Sequence, residues 1–119
     1  MSLWLLPLAF LLMADAADLP ANAPIRLVVE ALGDGVQLRV VGASDRAIDA
    51  SYALEVASDA AAGGNRTTQR GRAQLRPGIQ VTLMTLTLGN VAQGQWTARL
   101  RVEPAGAVPY EDIRSNSDN

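Results

Sequence analysis

The side chains of this 119-residue sequence that could do chemistry are ten arginines and twelve carboxylates; Lys, His and Cys are absent. Arg66, Thr68, Arg70 and Arg72 fall two residues apart, so in an extended chain all four project from one side. A guanidinium is a planar fork of donors that is always charged, suited to carbonyl, amide and carboxylate oxygens. Arg99 and Arg101 repeat the spacing as a smaller pair, expected on the other sheet. The row from Arg66 to Arg72 has two readings. It is charge placed on a sheet edge to discourage strand addition, or it is a contact face for a polar, unfolded or β-prone partner.

Other chemistries lack their residues. Without Cys or His there are no disulfides, thiol nucleophiles, thiolate or imidazole metal sites, or His-based triads. The acids Glu30, Asp34, Asp45, Asp49, Glu55, Asp59 and Glu103 are scattered, most at turn or outward positions where solvation explains them. Asp45 to Asp49 lacks the Gly and closing Glu of a calcium loop. No Gly-rich segment leads from a strand into a helix, so nucleotide binding has no support. The expectation is a protein that is not an enzyme, holds no cofactor or metal, and acts by surface contact.

The elements that must position the arginines are strands. Strand Ile25–Leu32 places Ile25, Leu27 and Val29 on one face, and Gly33-Asp34-Gly35 turns it into Val36–Val41. A connector over 42–50 leads to strand Ser51–Ala57, with Tyr52, Leu54 and Val56 inward. After the small-residue loop SDAAAGGN comes Arg66–Leu75, whose second face (Thr67, Gln69, Gly71, Ala73) is poor core surface. Such a strand belongs on an edge. Arg76-Pro77-Gly78 is a turn.

The stretch VTLMTLTLGNVAQGQWTARLRV, from Val81 to Val102, reads as a hairpin. Its second strand alternates cleanly, with Trp96, Ala98, Leu100 and Val102 inward. Its first strand has a phase problem: Ile79, Val81 and Leu83 share one parity, Met84, Leu86 and Leu88 the other. A bulge near Leu83 and Met84 is the expected solution. Val108 to Ile113 offers a short seventh strand after Pro109. Six or seven strands without an amphipathic helix give an all-β, antiparallel, immunoglobulin-like sandwich, with a small barrel as competitor.

At the start, Leu3 to Met13 is apolar and Ala14-Asp15-Ala16 is a small-x-small pattern, the shape of a secretory signal peptide over residues 1–16. Residues 17–24 then form an extended, loosely held leader, 25–113 the sandwich and 114–119 a disordered tail. The net charge of −2 gives no general attraction to nucleic acid or anionic membrane.

The segment SYALEV, the Gly-rich loop, the polar strand, RPGIQVTLMTLTLG and the W-T-A-R-L strand together resemble the curli amyloid-inhibitor proteins of CsgH type, which are related to those of CsgC type. The resemblance covers about Ile25 to Val102. It implies a periplasmic, monomeric immunoglobulin-like domain that transiently contacts an amyloidogenic curli-type subunit and delays its polymerisation without ATP. CsgC-type members carry a Cys-x-Cys pair that this sequence lacks, so a redox role does not carry over. The contact residues expected on this reading are Arg66, Thr68, Arg70, Arg72, Arg99 and Arg101. The alternative is a structural or adhesive subunit of a surface assembly, which would self-associate.

Overall fold

A computed structural model describes residues 23–59, 64–89 and 94–116. The expected signal peptide lies outside them. Seven strands follow in order: β1 Ile25–Leu32, β2 Gly35–Gly42, β3 Ile48–Ser58, β4 Arg66–Leu75, β5 Val81–Leu88, β6 Trp96–Pro104 and β7 Tyr110–Ser115. They form two antiparallel sheets, β1-β2-β5 and β4-β3-β6-β7. The layout is an immunoglobulin-like sandwich in which β4 pairs with β3 rather than β5.

Local chemistry sets the turns. Gly33 takes φ 59°, a conformation costly for any residue with a Cβ. It lets a two-residue turn connect β1 and β2 with Leu32 opposite Gly35. At the β4–β5 turn the Arg76 carbonyl accepts the Ile79 N–H at 3.3 Å. Gly78 sits at φ 74° after Pro77, the signature of a type II turn. The Gly78 N–H also reaches the Ser44 carbonyl at 2.9 Å, tying this turn to the β2–β3 connection.

The core lies between the sheets. Ile25, Leu27, Leu38 and Val40 from one meet Leu54, Val56, Leu100 and Val102 from the other, all essentially inaccessible. Tyr52 and Trp96 are the buried aromatics. β6 alternates buried and exposed along its whole length, as its period of two dictates. The bulge in β5 is present: Val40 pairs with Met84 but Val41 with Thr82, so Leu83 is the extra residue. Leu83, Met84 and Leu86 thereby all reach the core, partly buried, while Val81 and Ile79 stay exposed.

Four expectations are corrected. Val81 to Val102 is not a hairpin, because β5 pairs with β2 and β6 with β3 and β7. Both strands turn apolar side chains to one core from opposite sheets. β3 begins at Ile48, inside the expected connector, because Ile48, Asp49 and Ala50 find partners in Leu75, Gln74 and Ala73. The leader is held at its end: Ala23 and Pro24 are buried, and the Pro24 carbonyl accepts the Ala43 N–H at 2.8 Å. The seventh strand forms and runs to Ser115, so Arg114 and Ser115 are not tail. Asn116 is anchored too, donating to the Gly94 carbonyl at 2.7 Å and accepting the Trp96 N–H at 3.2 Å.

Candidate functional site

β3 is an inner strand of the four-stranded sheet, with β4 on one side and β6 on the other. Tyr52, Leu54 and Val56 point to the core, so Ser51, Ala53, Glu55 and Ala57 point outward. Antiparallel partners share a face, and the register then assigns the outer surface row by row. Ser51 lies between Arg72 and Glu103, Ala53 between Arg70 and Arg101, Glu55 between Thr68 and Arg99, and Ala57 between Arg66 and Thr97. All six expected contact residues therefore share one face. Arg99 and Arg101 are not on the other sheet; they flank β3 opposite the β4 arginines.

The small outward residues of β3 leave a shallow groove between the flanking arginines. One part, about 510 Å³, is lined by Ser51, Tyr52, Ala53, Arg70, Gly71, Arg72, Arg101 and Glu103. It continues into a second part of about 240 Å³ that runs past Thr68, Arg99 and Glu111. Arg70 and Arg101, two strand spacings apart, start roughly 10 Å from each other, and Arg70 and Arg72 roughly 7 Å. These separations lie within about one Debye length at physiological salt, so the fields of the guanidinium groups add.

Carboxylates answer only part of this charge. Arg66 Nη1 meets Glu55 Oε2 at 2.6 Å, and Arg101 Nε meets Glu111 Oε2 at 3.5 Å. Both pairs are solvent-exposed and individually weak. Among the described residues, Arg70, Arg72 and Arg99 have no carboxylate within ion-pair reach. Their donors are open to a partner. Glu103 and Asp49 sit at the far end of the face, leaving the stretch around Ala53 as its most cationic part. Ile113, 47 % exposed and opposite Arg99, adds an apolar spot at its rim. Among the described residues, no group of three or more His, Cys, Asp or Glu could hold a metal ion. No described helix is long and apolar enough to cross a membrane.

The sequence reading missed a second polar constellation. β7 turns Tyr110 and Asp112 inward and leaves Ile113 outside, the reverse of what hydropathy favours. The reason is β1, an edge strand whose N–H groups need partners. The Tyr110 hydroxyl accepts the Ile25 N–H at 2.9 Å and donates to the Ile25 carbonyl at 2.7 Å. Asp112 Oδ2 accepts the Leu27 N–H at 2.8 Å, and its Oδ1 accepts from Arg114 Nε at 2.9 Å. These side chains clasp the two sheets along one flank. Burial pushes the Tyr110 phenol above its ordinary value. The hydrogen bond to Ile25 opposes that shift, the Asp112 carboxylate adds to it and Arg26 works against it. The alternation Tyr110-x-Asp112-x-Arg114 was the available signal, but it reads as an outward polar face until the neighbour of β7 is known.

This arrangement matches known proteins. The solution structure of CsgH from R. palustris superposes with a TM-score of 0.57 at 27 % identity, covering 75 % of this chain and 87 % of that one. The curli protein CsgC of E. coli superposes with a TM-score of 0.61 at 12 % identity, covering 77 % and 95 %, a likeness of fold. Among curated proteins, no sequence matches this chain at a significant level. The family model described as CsgH protein matches residues 27–113, which take in the whole arginine face and the Leu27–Asp112 contact of the clasp, and the chain belongs to that family.

Proposed function

We propose that this protein is a periplasmic, ATP-independent inhibitor of amyloid polymerisation that acts on a curli-type subunit through the outer face of its four-stranded sheet. Membership of the CsgH family supports a role in curli assembly. The apolar run and small-x-small pattern near Met1 support export. The observation that carries the mechanism is the set of three arginines, Arg70, Arg72 and Arg99, without carboxylate partners among the described residues, on a groove floored by small residues. Their free donors can engage carbonyl, amide and carboxylate oxygens of an unfolded chain. Amyloid grows by adding strands to open edges. A partner held against the flat outside of a sheet gains no new backbone template there. Exposed, screened contacts make the binding weak and salt-sensitive, which suits a subunit that must be released for export.

The test is a thioflavin time course of a curli-type subunit with the parent protein and with Arg70, Arg72 and Arg99 all changed to Ala. The variant is expected to keep its circular dichroism and lose most of the delay. Raising salt from about 50 mM to about 500 mM should shorten the delay given by the parent. A variant that delays fibres as long as the parent does would remove the arginine face from the mechanism.

A further inference from the structure

Four strands end the two sheets, and three of them are defended. β1 has its backbone groups at Ile25 and Leu27 occupied by Tyr110 and Asp112. β7 is short, starts directly after Pro109 and carries Glu111 and Arg114. β4 carries Arg66, Arg70 and Arg72. β5, with the sequence VTLMTLTL, has no charge, no Pro and no Gly, the composition that pairs most readily with another extended chain.

The flank beside β5 is also incomplete. Gln69, on the inner side of β4, is exposed, while Met84 and Leu86, on the inner side of β5, are only partly buried. A strand added to β5 would cover them. The bulge at Leu83 breaks regular pairing, so the usable edge is Met84 to Leu88, roughly 17 Å long. Its inward neighbours would be apolar on one side and an amide on the other. Charge decides between occupants. β4 lies on the same flank, since β1 packs over β7 and β6 at the opposite one. A second copy docked edge to edge would bring its own arginine-bearing β4 against this one, which like charge disfavours.

We propose that the edge of β5 from Met84 to Leu88, which no strand among the described residues covers, pairs by backbone hydrogen bonds with an uncharged, extended segment that alternates amide side chains with Thr or Val. This rests on the reading of the protein as an amyloid inhibitor and names how the client strand is held. Strand addition supplies affinity through the backbone and leaves the arginine face to catch and orient the rest of the client.

The probe is a capped peptide of about a dozen residues alternating Gln or Asn with Thr or Val, added to the full chain. The readout is amide hydrogen exchange followed residue by residue. The outward amides of Met84 to Leu88 are expected to slow about tenfold or more at saturation. The same peptide N-methylated at alternate residues should give no slowing, because it cannot complete the ladder. The variant with Arg70, Arg72 and Arg99 changed to Ala should retain the slowing. Peptide binding that leaves Met84 to Leu88 unchanged overturns the proposal. Slowing that grows with protein concentration in the absence of peptide also overturns it, since the occupant is then a second copy. Protection of β5 alongside no delay of fibre formation would sink the inhibitor reading and leave the edge site standing; the opposite pair of results would do the reverse.

Discussion

Asp112 is the buried charged residue of the described core, 3 % exposed, and changing it to Ala tests whether the flank clasp holds the sheets together. Two effects oppose each other. Removing a buried carboxylate relieves its desolvation. It also strands the N–H of Leu27, a residue 1 % exposed that accepts no ready substitute from water. A hydrogen bond to a charged acceptor is worth about 1.5–3 kcal/mol, and an orphaned buried donor costs a similar, overlapping amount. The Arg114 contact, whose guanidinium side is 36 % exposed, adds at most about 1 kcal/mol. The orphaned donor wins, and Asp112→Ala should lose about 2–4 kcal/mol. For a domain of this size that lowers Tm by about 10–25 °C. Asp112→Asn keeps an acceptor for Leu27 while turning an amide to Arg114, so it should cost about 1 kcal/mol. Urea unfolding followed by tryptophan fluorescence, in which buried Trp96 reports on the core, measures both. An Asp112→Ala unfolding free energy within about 0.5 kcal/mol of the parent, or Asn costing more than Ala, refutes the account.

Tyr110 gives the clasp a pH dependence. Its phenol keeps its proton to higher pH in the folded chain than in the unfolded one, so between its ordinary value near 10 and its raised one the folded state binds more protons and stability falls as pH rises. Urea melts from about pH 9 to about pH 11 should therefore show a steeper loss for the parent than for Tyr110→Phe, and equal slopes would count against burial of the hydroxyl. Two strand glycines separate rigid from yielding neighbours. A Cβ at Gly35 would strike the backbone carbonyl of Leu88, whereas one at Gly42 meets the Leu75 Cδ2 at 2.7 Å, the far end of a flexible side chain. Gly35→Ala should cost about 2 kcal/mol or more and Gly42→Ala under about 1 kcal/mol, compared by thermal melts; the reverse order would mean that the β2–β5 edge adapts more easily than the core.

Periodicity carried most of the fold, and its failures share a cause. β2, β6 and most of β3 were legible because each alternates against a core on one side and a more open face on the other. The β5 bulge was legible because one strand carried two incompatible apolar parities. Pairing was not legible. Alternation says which face of a strand is buried, not which strand lies beside it, so Val81 to Val102 passed for a hairpin while its halves belong to different sheets. The same gap sent Arg99 and Arg101 to the wrong sheet. In β7 the strand was legible but its clasp was not: its inward residues are polar because they satisfy the backbone of β1, and a rule that equates inward with apolar has no place for Asp112.

The candidate site follows from register as much as from arginine. Guanidinium groups on β4 and β6 would stand as two separate rows if β3 carried large outward residues between them. Ser51, Ala53 and Ala57 keep that middle strip low, so long side chains from both neighbours can lie over it and act on one bound segment. The strip also belongs to a strand paired along nearly its full length on both sides, which fixes its backbone against local opening. On the proposed reading, exposed arginine heads on a well-paired sheet would give weak, salt-sensitive contacts without reshaping the surface. The bare edge of β5 can order a bound chain but has no charge to attract one. On the proposed reading, attraction and ordering fall to different parts of the sandwich, the cationic row on the sheet of β3 and the edge of β5 on the other.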